Sequence, residues 1–161
     1  MKLITAALVA ASQFIAPALG HDGFFVYGGT SQTLAKHVYK VWGMYPSVPT
    51  CEMVDTLPGY FGENDVSKRK GVVCDGDGCV QTHRDPTDIW RVEMNVDFGH
   101  YTWYRGPAQE LVDLEGRVVG HCFEQHEKFE SAKVDCKYQK PKGEQKINLN
   151  PYLWCDTKVW A

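Results

Sequence analysis

The chain has 161 residues, a formal net charge of −3, 43% hydrophobic residues and six cysteines. The mildly acidic balance argues against a strongly basic nucleic-acid binder, and the length is that of one domain with a real core. Beyond the N-terminal apolar run, no stretch is long and apolar enough to span a bilayer as a helix.

The chain opens as an export signal. Lys2 precedes an apolar run over residues 3–16, and the small residues Ala16, Ala18 and Gly20 suit a signal peptidase. Residues 1–20 are expected to be a signal peptide and residues 21–161 a single secreted domain. Two cuts compete, after Ala18 or after Gly20, and the second would leave His21 first. All six cysteines, Cys51, Cys74, Cys79, Cys122, Cys136 and Cys155, follow the signal. An even number in an exported chain predicts three disulfides, each worth about 2–4 kcal/mol. The connectivity stays open, since six cysteines allow fifteen pairings.

Residues 22–29 form an aromatic and β-branched run closed by Gly28 and Gly29, which predicts a first strand. Over residues 30–43, Leu34, Val38, Val41 and Trp42 fall on one helical face beside Ala35. With Thr30 or Ser31 as cap and Gly43 and Pro46 as stops, this predicts the main helix. Residues 45–65, rich in Pro, Gly and Asp, predict a long loop tied down by Cys51. Two β-prone runs around Asp75-Gly76-Asp77-Gly78 predict a hairpin.

Residues 88–98 alternate, which puts Trp90, Val92, Met94, Val96 and Phe98 toward the core and Ile89, Arg91, Glu93, Asn95 and Asp97 on the opposite face. Residues 100–106 predict another strand. Pro107 and Gly116 bracket a short helix. Residues 116–125 and 131–139 predict two more strands, the second with Val134, Cys136 and Tyr138 on one face. The tail turns from polar to aromatic, and Cys155 is expected to staple it back. Together these elements predict an α+β domain: an antiparallel β-sheet of about four strands packed with one main helix and a short helix, stapled by disulfides.

Several chemistries are open to these residues. A mature N-terminal His21 could grip copper through its amine and ring, with a second imidazole from His37, His83, His100, His121 or His126. The helix expected after the first strand counts against the usual sandwich scaffold for such a brace. His83, Glu93, Arg105 and His121 occur in the order used by small secreted ribonucleases, which set a general acid and base on either side of a phosphate with a cation beside it. Cys74 and Cys79 have a spacing some zinc sites use, but an oxidising setting favours a disulfide. Asp75 and Asp77 supply only part of a calcium loop. Lys68-Arg69-Lys70 is either a dibasic processing site or, more simply, a solvated loop. Trp103, Tyr104, Trp154 and Trp160 are expected in the core. Exposed instead, Trp103, Tyr104 and Arg105 would form a candidate binding surface.

In layout (signal, about 140 mature residues, six cysteines, no catalytic signature) the chain resembles the small secreted cysteine-rich effectors of plant-pathogenic fungi. Within that class it is similar to the Leptosphaeria avirulence-suppressing (LARS) family, whose members pair helices with a four-stranded antiparallel sheet and carry a Trp-Arg-aromatic-basic stretch. Trp90-Arg91 matches the first half of that stretch, and Val92-Glu93 departs from the second. The resemblance implies a monomeric virulence protein without catalytic residues, metal or cofactor. It would work in the host apoplast or inside host cells, bind host plant proteins, and be recognised by resistance proteins or shield others from them. Neither a membrane nor a nucleic acid is an expected partner.

Overall fold

A computed structural model describes residues 22–33, 37–79, 88–125, 132–141 and 143–159. Ten strands run through it: β1 Gly23–Thr33, β2 Val38–Tyr45, β3 Gly59–Phe61, β4 Gly71–Gly76, β5 Ile89–Val96, β6 Gly99–Tyr104, β7 Glu110–Asp113, β8 Val118–Glu124, β9 Val134–Lys140 and β10 Gly143–Thr157. Helix among the described residues is confined to α1, Cys51–Thr56, and short 3₁₀ turns such as Asp77–Cys79. None of it is long and apolar enough to cross a membrane.

The strands pair antiparallel in the order β3-β2-β1-β10-β8-β7-β6-β5-β4, with β9 added to β10. A single parallel bridge between Gly62 and Val72 brings the two ends of that row together. The sheet is thus a nearly closed barrel, and closure is how an all-β chain disposes of unpaired strand edges.

The α+β expectation is therefore corrected, and so is the helix-and-sheet fold that the LARS resemblance implied. The segment expected to be the main helix holds the end of β1 and the start of β2, which pair from Phe25–Tyr45 to Gln32–Val38. Its apolar residues happened to fit a period of 3.6. Yet Thr, Val, Tyr and Trp favour a pleated surface, and the tertiary pairing overrode the helical pattern. Gly28 does not end β1. A Cβ there would come within 2.9 Å of the rings of both Trp42 and Tyr152, so the glycine makes room for two aromatics in mid-strand.

The second expected helix holds β7 and a turn, in which the Asp113 carboxylate accepts from the N–H groups of Glu115 and Arg117. The loop over residues 45–65 contains α1 and β3. The first arm of the hairpin around Gly76 is β4, the expected turn runs into the 3₁₀ turn Asp77–Cys79, and the rest of the second arm, residues 80–83, falls outside the described residues. The tail, expected only to be stapled, is β10, the longest strand.

Alternation in the strands feeds two cores. Phe24, Val26, Trp42, Met44, Val92, Met94, Val96, Trp103, Leu111, Leu153 and Cys155 fill the barrel. The opposite faces of β1, β2, β9 and β10 supply Tyr27, Tyr45, Val134, Cys136 and Leu149 to a smaller core, against which Met53, Val54 and Leu57 of the α1 region pack. Thr50 caps α1 by accepting from Met53 N–H. The Cys51–Cys136 disulfide and a hydrogen bond from Tyr138 Oη to Cys51 O, 2.5 Å, clamp the helix to β9. The remaining cysteines pair as Cys74–Cys79 and Cys122–Cys155, which completes the three predicted disulfides and joins β8 to β10.

Burial holds the phenols of Tyr45 and Tyr152 protonated up to about 12, against an ordinary 10, and pushes that of Tyr27 up as well. A proton kept by the folded chain but released by the unfolded one stabilises folding below the unfolded value and is lost as pH rises through the folded one. The denaturant midpoint is expected to hold up to about pH 10 and then fall between 10 and 12, with the slope unchanged. A midpoint that stays flat across that interval would contradict the buried placement of these phenols.

Candidate functional site at one end of the barrel

The ends of β4, β6 and β8 and the start of β5 meet at one end of the barrel, because successive strands run antiparallel. There Asp77, Asp88, Trp90 and Arg105 line a cavity of about 290 Å³. Trp90 comes to it through a break in register. Asp75 pairs with Arg91 and Gly76 with Ile89, which leaves Trp90 without an opposite residue. The alternation is reset at that point. Ile89, expected on the outer face, is buried, whereas Trp90, expected in the core, is 69% exposed.

Gly76 sets the indole's position. Its φ is +123°, a conformation side chains other than glycine rarely adopt, and a Cβ there would lie 1.9 Å from Asp88 O and 2.6 Å from Trp90 Cδ1. The absence of a side chain lets the indole lie against the end of β4. The backbone carbonyl of Trp90 accepts from Arg105 N–H at 2.8 Å. The Arg105 guanidinium is held 3.4 Å from the mostly buried carboxylate of Glu124 on β8. Beside them Arg91 donates from Nε to Asp75 Oδ2 at 2.7 Å, and it sits directly across from Tyr104, which is 49% exposed.

The fold thus gathers Trp90, Arg91, Tyr104 and Arg105, which the sequence reading had placed in two separate groups. It removes Trp103 from the surface. That indole is fully buried and donates from Nε1 to Cys122 O at 3.0 Å, as alternation with Tyr104 requires. Gly76, Asp88 and Glu124 were missed. The Asp-Gly-Asp-Gly run was a visible signal for Gly76, but nothing local marks Asp88 or Glu124.

Among the described residues, the other candidate chemistries do not assemble. Glu93 faces outward from β5, 2.9 Å from His100 Nε2 and 3.6 Å from Arg91. His121 sits on β8 opposite Glu110, and two strands separate it from β5, so the two lie on the order of 14 Å apart across the sheet. Arg105 is engaged at the barrel end. Glu93, Arg105 and His121 therefore cannot reach one substrate atom together, as acid–base chemistry requires. His21, His83, His126 and Trp160 lie outside the described residues.

The helix that counted against a copper brace does not exist, so that objection lapses. Among the described residues, no group of three or more His, Cys, Asp or Glu side chains is arranged to hold a metal. Cys74 and Cys79 are joined to each other, and a disulfide leaves no thiolate for zinc. In the basic run, Arg69 pairs with Glu63 and Lys70 Nζ donates to Val96 O, which fixes the loop to the barrel.

No family model, no curated protein and no solved structure matches the chain. Function has to come from the site itself.

Gly76→Ala is expected to destabilise the chain by about 1–2 kcal/mol, since it both strains the backbone and collides with the indole. In a Trp90→Ala background the penalty should shrink, because only the backbone strain and the contact with Asp88 O remain. Denaturant midpoints of the four proteins check this, and equal penalties in both backgrounds would show that Gly76 does not set the indole.

Proposed function

We propose that the chain is a secreted effector that acts by binding a host protein, and that the surface around Trp90, Arg91, Tyr104 and Arg105 is where it binds. The carrying observation is the exposed Trp90 indole, held in place by Gly76 and set beside a guanidinium. Trp, Tyr and Arg are the residue types that dominate binding energy at protein interfaces. An exposed indole has a hydration cost that a partner would relieve. The three disulfides are compatible with an extracellular setting, and the N-terminal leader pattern supports export. The layout of the chain supports the effector assignment, with the host apoplast as the first place of action.

The test uses the chain secreted with its own leader, its disulfides intact, incubated with plant apoplastic fluid and recovered by a C-terminal tag. A discrete host protein should be retained, and Trp90→Ala and Arg105→Ala should each reduce its recovery about tenfold. Trp90 is exposed, so its replacement leaves the barrel folded. Retention of nothing, or equal retention by all three proteins, would remove this reading.

A further inference from the structure

We infer that the cavity between Trp90 and Arg105 takes a neutral pyranose unit, so that the host partner is recognised through a glycan it carries. This rests on the reading above that the barrel end is a binding surface, and it adds the chemistry of what is bound. Among the described residues the lining is one indole, two carboxylates and one guanidinium around about 290 Å³. Each simpler class of ligand meets an obstacle there. A purely apolar ligand would strip water from three charged groups without replacing their hydrogen bonds. A phosphate or other anion would meet the carboxylates of Asp77 and Asp88 in a chain that already carries −3. A quaternary ammonium ion is bound by several aromatic faces, and among the described residues here it would find a single indole with Arg105 beside it.

A pyranose fits all four groups. It has a face of C–H bonds that packs on an indole and a rim of hydroxyls that both donate and accept. Asp77 and Asp88 accept from such hydroxyls, and Arg105 donates to them, as charge-assisted hydrogen bonds. The volume falls at the lower limit of small-molecule sites, roughly 300–1,000 Å³, which suits one sugar ring rather than a long stretch of polymer. The platform is also set in advance. Gly76 fixes where the indole lies, and the Arg105 N–H bond to Trp90 O ties the platform to the guanidinium's own backbone. Fixing the contact groups before binding reduces the entropy that association costs.

The experiment has two arms. In the first, the secreted protein is titrated with the methyl glycosides of glucose, mannose, galactose and N-acetylglucosamine, with tetramethylammonium and inorganic phosphate as controls, while the indole N–H resonances are followed by NMR. At least one glycoside should shift the Trp90 resonance saturably at millimolar concentration and leave that of Trp103 in place. Trp90→Ala should abolish binding, and Asp88→Asn should weaken it about tenfold. No response to any glycoside, or a response only to a control ion, overturns the inference.

In the second arm, capture from apoplastic fluid is repeated after enzymatic removal of glycans. Loss of capture supports the inference. Capture that is unchanged by deglycosylation but still lost in Trp90→Ala overturns the glycan and leaves the binding surface standing. Capture that is indifferent to Trp90→Ala overturns the surface itself. Retention on insoluble cell-wall polysaccharide with no glycoprotein recovered overturns the proposed source of the sugar.

Discussion

The structure depends on β10 being hydrogen-bonded along both of its edges. One edge pairs with β1 from Gly23–Asp156 to Thr33–Gln145, across a single register shift. The other edge is shared: its first half pairs with β9 and its second half with β8. Backbone N–H and C=O groups in a barrel wall must find partners, and a strand of this length satisfies three neighbours at once. Pro151 sits between the two partner segments, opposite Tyr27 at the register shift, one of the few places in a sheet where proline is tolerated. The Cys122–Cys155 disulfide locks β8 to β10 at a directly paired position inside the barrel.

Two cores follow from this arrangement. The β8 half of β10 belongs to the barrel and sends Leu153 and Cys155 inward. The β9 half extends past the barrel, so Leu149, with Val134 and Cys136 of β9, would be left on an outer face. A six-residue helix covers that face, too short to be stable on its own. Tertiary bonds hold it instead. The Cys51–Cys136 disulfide joins residues 85 apart in sequence, and by loop entropy such a link stabilises by about 4.6 kcal/mol, just above the usual 2–4. The Lys140–Asp55 ion pair adds a second, exposed contact between β9 and the helix, worth little by itself.

Closure of the barrel also decides where recognition can occur. The interior is filled by side chains as large as Trp103, Phe24 and Met94, so a ligand cannot enter it. Strand ends remain, and at one of them a register break turns Trp90 outward. Tyr104 and Arg105 follow the buried Trp103 by simple alternation. One end of the wall thus carries an aromatic side chain and a cation around one cavity.

Some of this was legible in the residues alone. The leader pattern and the even cysteine count predicted three disulfides. The alternation over residues 88–98 predicted β5 and the burial of Val92, Met94 and Val96, because each inference needed only neighbours along one strand. Val134, Cys136 and Tyr138 likewise share a face as their spacing said, although that face belongs to the second core. What failed depended on distant partners. Residues 30–43 satisfied a helical period, and only the pairing of β1 with β2 and with β10 made 30–33 and 38–43 of them strands. Trp90 satisfied an inward alternation, and only the register of β4 against it turned it out. The sequence by itself determined which residues alternate and that the cysteines would pair. The tertiary structure decided which cysteine meets which, which face becomes interior, and which side chains share the barrel end. Those outcomes depend on the order and register of strands far apart in the chain, and local residue spacing carries no information about either.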